Sequence, residues 1–144
     1  NWTIDEVKKK LTLYLADNAV VKGFIVSLKN QPIAYLQYCE LTYNPWPGQD
    51  LPDDVVNYGA GIDFFIGEPS FVNRGLGDKI ITAFINQIIW PKYEFCVADP
   101  DIRNIASIQT LKKAGFVSHK SISDVNPLNE PVTLQLMIKN RCDS

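Results

Sequence analysis

Two stretches decide the fold of this chain: Val72-Asn73-Arg74-Gly75-Leu76-Gly77, which opens an apolar helical pattern, and Asn104 to Phe116, which ends Lys113-Ala114-Gly115-Phe116. In the first stretch, glycines allow a ligand to approach main-chain N–H groups at a helix N-terminus, where aligned peptide dipoles favour an anion. Arg74 adds a charged donor at the same end. The stretch therefore predicts a pyrophosphate site, although a plain tight turn explains the two glycines equally well.

Two commoner glycine-rich motifs do not match this stretch. A dinucleotide-binding fingerprint needs a third glycine three residues after Gly77, where the chain has Ile80. A P-loop needs Gly-Lys-Ser/Thr, where the chain has Gly77-Asp78-Lys79. Both classes of nucleotide site are therefore excluded.

Hydrophobic periodicity and turn residues around these stretches predict an α/β domain with a mixed sheet. The loop between the second and third strands is predicted from its three prolines and one glycine. The predicted elements are helix 4–17, strands 22–28 and 32–43, loop 44–57, strand 58–66, helix 75–90, strand 93–98, helix 104–114, and strands 116–123 and 132–139.

Size and composition limit the class of protein. With 144 residues, 46% hydrophobic and 21% charged, the sequence predicts one domain, residues 1–144. It contains no apolar run long enough for a membrane span and no signal-peptide pattern. Cys39, Cys96 and Cys142 lack metal or redox spacing and are interpreted as reduced thiols. We expect a cytoplasmic protein that neither binds a metal nor contacts a membrane.

Charge is distributed unevenly along the chain, whose formal net charge is −2. Between Lys29 and Arg74 there is no lysine or arginine, whereas six acidic residues lie there: Glu40, Asp50, Asp53, Asp54, Asp63 and Glu68. An acidic segment repels nucleic acid and attracts cations. It predicts a cationic small-molecule partner, and a solvated acidic loop without a ligand is the alternative.

The second stretch extends the argument to a family. A strand, Asp99-Pro100-Asp101, and a helix that starts at Asn104 and ends Ala114-Gly115-Phe116 resemble the acetyl-CoA site of the GNAT acyltransferases. The resemblance implies a GNAT fold, with a mixed, mostly antiparallel twisted sheet flanked by helices. A typical member has a further strand and helix before the region where this chain starts. The resemblance implies that those elements are absent or only partly represented in this sequence.

Within that superfamily, Gly61-Ile62-Asp63, followed by Gly75-Leu76-Gly77, most resembles the aminoglycoside 6'-N-acetyltransferases. The resemblance implies acetyl-CoA as co-substrate. It implies cofactor contacts by Phe65, Ile66, Gly67, Asn73, Arg74, Gly75, Leu76, Gly77, Asp78 and Asn104. It implies that Asp63 and Asp99 bind the substrate, and the loop residue Trp46 is available to contact a ligand. Taken alone, Asp99 is also explained by a turn and Asn104 by a helix cap.

The implied chemistry is direct transfer of an acetyl group from a thioester to an amine. The amine is protonated near neutral pH, so a carboxylate that binds the ammonium and accepts or relays its proton is useful, and Asp63 is the catalytic candidate. A backbone N–H near Phe65, where two strands separate, is the expected donor to the developing oxyanion.

Two positions depart from the family pattern: Val72, where many members have Gln or Arg at the start of the pyrophosphate loop, and Leu111. Leu111 occupies the place where a tyrosine often protonates the departing thiolate, and leucine has no proton to donate. Tyr93, Tyr58 and Ser107 are the alternative donors.

Three functions remain open from the sequence. The first is acetylation of the 6'-amine of an aminoglycoside, which would give antibiotic resistance. The second is acylation of an N-hydroxylysine-type amine in siderophore biosynthesis, which Ile66-Gly67-Glu68-Pro69 and Arg103-Asn104 favour slightly by resemblance. The third is a protein that binds acetyl-CoA or a cation without turnover. A monomer and a homodimer are both compatible with the sequence.

Overall fold

A computed structural model describes residues 21–28, 31–42, 50–66, 77–125 and 128–143. Its strands are β1 (Val21–Leu28), β2 (Gln31–Glu40), β3 (Gly59–Ile66), β4 (Phe95–Ala98), β5 (Val117–Val125) and β6 (Pro131–Asn140). Its helices are α1 (Asp53–Tyr58), α2 (Gly77–Phe84, continued by a π-helical turn over Ile85–Ile89) and α3 (Ile105–Lys113). A 3₁₀ turn follows at Arg141–Asp143. The predicted helix 4–17 lies outside the described residues.

The six strands form one mixed sheet in the order β1-β2-β3-β4-β6-β5. Neighbouring strands are antiparallel except β3 and β4, which are parallel. The parallel pairing covers only Gly59 to Gly61 against Phe95 to Val97. Beyond Gly61, β3 continues to Ile66 without a partner from β4, so the sheet opens between these two strands. The predicted α/β class with a mostly antiparallel sheet is confirmed.

Alternation along the strands creates a hydrophobic core on each face of the sheet, because successive side chains point to opposite sides. The helix face packs against α2 and α3 through residues such as Leu36, Ile62, Ile81 and Leu111. The opposite face packs against α1 through Leu41, Val55, Val97 and Leu136. On the helix face, both strands that flank the opening contribute core residues, Ala60 and Ile62 from β3 and Cys96 and Ala98 from β4.

The region between β2 and β3 differs from the prediction. The sequence predicts a loop over 44–57, but α1 occupies Asp53–Tyr58. Pro52 immediately precedes this helix, a position where the fixed φ of proline is compatible with a helix start rather than disruptive. Strand β2 consequently ends at Glu40 rather than residue 43, and Tyr58 ends a helix instead of beginning a strand.

Helix α3 is anchored at both ends. At its start, Asn104 Oδ1 accepts a hydrogen bond from the Ser107 N–H at 3.2 Å, which caps the first turn. At its end, Lys139 Nζ of β6 donates to the Ala114 carbonyl at 2.6 Å, and Gly115 reverses the chain with a φ of 100°. The position of α3 relative to the sheet is therefore fixed by β6. Among the described residues, none of the helices is long and apolar enough to cross a membrane.

Candidate active site

A cleft of about 490 Å³ lies where β3 and β4 separate. One wall is the open part of β3, and the other runs from Ala98, at the end of β4, to Asn104. Backbone hydrogen bonds attach this second wall to β6: Gln135 N–H donates to the Pro100 carbonyl at 2.8 Å, and Ile102 N–H donates to the Thr133 carbonyl at 3.0 Å. The cleft therefore forms because β3 and β4 are paired only as far as Gly61 and the segment after β4 is bonded to β6 instead.

Asp63 occupies the β3 wall and is exposed to solvent. Its Oδ1 accepts a hydrogen bond from the N–H of Phe64 at 2.9 Å. The bond holds one carboxylate oxygen against the backbone of β3. Residue alternation assigns Asp63 to the same face as Val97 and the α1 core, opposite the helix face.

The wall after β4 contains Asp99 and Asp101. Asp101 is bonded to Arg103, whose Nη2 donates to Oδ2 at 2.7 Å and whose backbone N–H donates to Oδ1 at 2.9 Å. These hydrogen bonds from Arg103 hold the pKa of Asp101 at about 2, below its ordinary value of 3.8. The carboxylate raises the pKa of Arg103 in turn. Arg103 is thus committed to Asp101.

Helix α3 supplies the remaining wall through Asn104, Ser107 and Leu111. These residues lie three and four positions apart, so they share one helix face. Leu111 is completely buried and packs in the core on the helix face. This wall changes from polar at the start of α3 to apolar deeper in the cleft.

Of the predicted site residues, Asp63, Asp99 and Asn104 line this one cleft, although they are far apart in the sequence. Phe65 lies on β3 beside Tyr35 of β2, and Gly77 and Asp78 form the first turn of α2; none of these three lines the cleft. Ile66 ends β3. The predicted contacts of Trp46, Gly67, Asn73, Arg74, Gly75 and Leu76 lie outside the described residues.

Two of the alternative thiolate donors do not reach the cleft. Tyr93 is buried and donates its hydroxyl to Glu40 Oε1 at 2.8 Å; burial, followed by the hydrogen bond to Glu40, raises its pKa. Tyr58 ends α1 and does not line the cleft. Ser107 is the one of the three that lines the cleft.

The structure adds Gln37, Arg103 and Asp124 as cleft residues that the sequence did not predict as substrate ligands. Gln37 lies directly opposite Asp63 in the β2–β3 pairing, so a correct register would have indicated it. The sequence signal for Arg103 was its position next to the predicted site residue Asn104. Asp124 comes from the end of β5, and no sequence feature indicated that this strand approaches the cleft.

Carboxylates dominate the charge of the cleft. Four aspartates line it, Asp63, Asp99, Asp101 and Asp124, and Arg103 is the one lysine or arginine side chain among the described residues that do so. Arg103 is paired with Asp101 and so compensates only one of these negative charges. The electrostatic potential in the cleft is therefore negative. The arrangement can attract an amine and hold it beside a carboxylate.

Comparison with known proteins identifies the family and the fold. A family model described as an acetyltransferase (GNAT) domain matches residues 1–124. The fold is similar to aminoglycoside acetyltransferase AAC(6')-Ib solved with coenzyme A, with a TM-score of 0.71 at 23% identity over 97% of this chain and 78% of that chain.

Two further solved structures share the fold. The aminoglycoside N(6')-acetyltransferase of Legionella pneumophila has a TM-score of 0.70 at 22% identity over 94% of this chain and 72% of that chain. A chimera of the spermidine N-acetyltransferase SpeG from Vibrio cholerae and hSSAT has a TM-score of 0.67 at 14% identity over 99% of this chain and 82% of that chain. The predicted fold and the prediction of an acetyltransferase are confirmed: the chain belongs to the GNAT acetyltransferase family.

Proposed function

We propose that this protein transfers the acetyl group of acetyl-CoA to a primary amine of a polycationic small molecule, with the 6'-amine of an aminoglycoside as the leading acceptor. The observation that carries the proposal is the excess of carboxylates in the cleft. Such a site favours a substrate with several ammonium groups, because each group can face a different aspartate. Exposed pairs of this kind contribute about 1 kcal/mol or less each, so they orient the substrate more than they hold it.

The two substrates are proposed to approach from opposite faces of the sheet. Leu111 belongs to the helix face, whereas Asp63 belongs to the face that packs against α1. Both line the cleft, because the separation of β3 from β4 opens the sheet between its two faces. A thioester on the helix face and an amine on the Asp63 face would meet where the strands separate.

The residues on the helix face are compatible with the arm of coenzyme A. Asn104 uses its Oδ1 to cap α3, which leaves its amide Nδ2 to donate to a carbonyl of that arm. Leu111, which is completely buried, closes the apolar end of this wall from the core. Acetyl-CoA would supply an activated acyl group. Contacts of the pyrophosphate with 73–78 remain a proposal from the sequence pattern.

Asp63 is proposed to act on the amine. An ammonium group must lose a proton before its nitrogen can attack the thioester carbon, and general-base help of this kind contributes roughly 10²- to 10⁴-fold in rate. The exposed carboxylate, oriented by the Phe64 N–H, can bind the ammonium and accept that proton or pass it to water. The neutral amine then attacks the thioester carbon, so that the C–N bond forms and the carbonyl oxygen becomes an oxyanion. The nitrogen loses its second proton to water, and collapse of the oxyanion breaks the C–S bond and releases the thiolate.

The departing thiolate is proposed to leave without a strong acid. Leu111 has no proton, and Tyr93 is engaged with Glu40. Ser107, one turn before Leu111 on α3, can hydrogen-bond the sulfur directly or through water. We expect a slower enzyme than one with a tyrosine at position 111.

Acetylation of a plain polyamine is the second candidate, because the same excess of carboxylates suits spermidine and a spermidine acetyltransferase shares the fold. N-hydroxylysine acylation and binding without turnover are the outcomes that the test below also separates.

The test is thiol release from acetyl-CoA by the purified protein with four acceptors: tobramycin, a tobramycin analogue that lacks the 6'-amine, spermidine and N6-hydroxylysine. Release with tobramycin and none with the analogue supports the 6'-acetyltransferase. Release with spermidine alone moves the function to polyamines, and release with hydroxylysine alone moves it to siderophore chemistry. Silence with every acceptor, combined with acetyl-CoA binding by calorimetry, indicates a binding protein.

A further inference from the structure

A buried tyrosine orients a glutamine on the wall of the cleft. Tyr35 and Gln37 lie two residues apart on β2 and therefore on the same face of the sheet. The Tyr35 hydroxyl donates to Gln37 Oε1 at 3.0 Å. Tyr35 is only 2% exposed, so the surrounding structure holds its ring in place. The half-buried side chain of Gln37 is thereby fixed by a group that does not itself line the cleft.

This contact determines what Gln37 offers to a ligand. Its amide oxygen is the acceptor for Tyr35, so the two N–H groups on Nε2 are what it can present to the cleft. Within the described part of the chain, Nε2 has no hydrogen-bond partner. Amide donors in a half-buried position are best satisfied by an oxygen acceptor.

Gln37 lies directly across from Asp63 in the antiparallel pairing of β2 with β3. Side chains opposite each other in such a pair have Cβ atoms about 4.5 to 5.5 Å apart and extend from the same face. A carboxylate and an amide donor therefore lie side by side in the cleft, on the face of the sheet where the amine is proposed to bind. The first attracts an ammonium, and the second requires an oxygen near that ammonium.

We infer that Gln37 selects acceptors that carry a hydroxyl or ring oxygen close to the reacting amine, as amino sugars do, over plain polyamines. The inference rests on the proposed function, since it needs an amine bound at Asp63. A polyamine satisfies the carboxylate but has no oxygen for Gln37, so the amide must stay hydrated or unpaired when it binds. Sites that hydrogen-bond a substrate oxygen discriminate against analogues without it by this mechanism.

The experiment compares kcat/KM for tobramycin and spermidine in the wild-type protein and three variants. Gln37→Leu removes the amide, Tyr35→Phe removes only the orienting hydroxyl, and Gln109→Leu is the matched control on the exposed side of α3. We expect Gln37→Leu to lower kcat/KM for tobramycin about 10-fold or more, mainly through KM, and to change the value for spermidine less than about 2-fold. Tyr35→Phe should give a smaller loss for tobramycin alone, and Gln109→Leu should change neither.

Equal losses for both acceptors would show a general structural role and overturn the inference, as would unchanged selectivity or a wild type that prefers spermidine. Calorimetric titration of tobramycin into wild type and Gln37→Leu separates this inference from the proposed function. If neither protein turns tobramycin over but only Gln37→Leu loses affinity for it, the proposed reaction fails and the recognition by Gln37 stands. Equal affinity for the two proteins, or no binding to either, overturns the inference.

Discussion

The two edges of β3 differ in what they are paired with, and this difference creates the site. Along its edge with β2, β3 is paired from Ala60 opposite Glu40 to Ile66 opposite Ala34. Along its edge with β4, pairing stops at Gly61. The same strand is therefore rigidly held on one side and open on the other. A strand that is paired along one edge can place Asp63 accurately while leaving room for a ligand beside it.

The largest effect should come from the open edge. Asp63→Asn keeps an oxygen for the Phe64 N–H but removes the negative charge and the base, so turnover should fall by about 10²-fold or more. Acetyl-CoA affinity by calorimetry and the thermal midpoint should remain near wild type, because Asp63 is exposed. Asp53→Asn, on α1 and away from the cleft, is the control for removal of an acidic charge. An unchanged rate in Asp63→Asn would remove Asp63 from the mechanism.

The apolar end of the cleft should respond in stability. Leu111 is completely buried, so Leu111→Ala leaves a cavity and should lower the free energy of unfolding by about 2 to 5 kcal/mol. Ile105→Ala, on the same helix at a position that is 63% exposed, should change it far less. Urea denaturation followed by circular dichroism measures both.

Leu111→Tyr tests the same position, because it introduces a hydroxyl group and also adds volume to a filled site. Overpacking of a filled site should destabilise the fold by about 1 to 3 kcal/mol. Higher turnover in this variant would show that the missing acid limits the rate, and a large loss of turnover would show that Leu111 serves as a packed wall.

The pairing of β3 with β4 can be disrupted at Gly59, where it begins. A Cβ built on Gly59 would overlap the carbonyl oxygen of Val55 in α1, and this oxygen belongs to the backbone. Gly59→Ala should therefore displace α1 or β3 and lower the free energy of unfolding by about 1 to 3 kcal/mol. Denaturant unfolding that matches wild type would show that α1 moves away without resistance.

The smallest effect concerns Asp101 and Arg103 on the wall after β4. The pKa of Asp101 in the folded protein, about 2, lies below its ordinary value of 3.8. The ion pair of Asp101 with Arg103 therefore stabilises the folded state. This stabilisation is complete above pH 3.8, the ordinary pKa of Asp101, and is lost as the pH falls through about 2. In an NMR titration of the carboxyl carbon, Arg103→Ala should raise the pKa of Asp101 toward 3.8. An unmoved titration would mean that Arg103 is not the cause.

Sequence reasoning predicted the order of the described strands and longer helices because their periodicity and turn residues are strong local signals. It missed α1, since Pro52 was interpreted as a breaker although proline is compatible with a helix start. It also could not place the point where β3 and β4 separate, because the extent of pairing depends on contacts between distant segments.

The candidate site was predictable in part for the same reason. Asp63, Asp99 and Asn104 were proposed from motifs, and the fold brings them to one cleft, although their roles remain predictions. Gln37 carries no motif and becomes visible only through its register opposite Asp63. The commitment of Tyr93 to Glu40 likewise depends on a contact between residues 53 positions apart.

Lys139, which anchors the end of α3, has a consequence for a protein proposed to handle an activated acyl group. Any lysine beside a thioester is itself an amine that the thioester can modify. Lys139 is only 7% exposed, and its amine donates to the Ala114 carbonyl. The contact that anchors the helix thus also occupies the amine of Lys139 with a main-chain carbonyl, inside the fold.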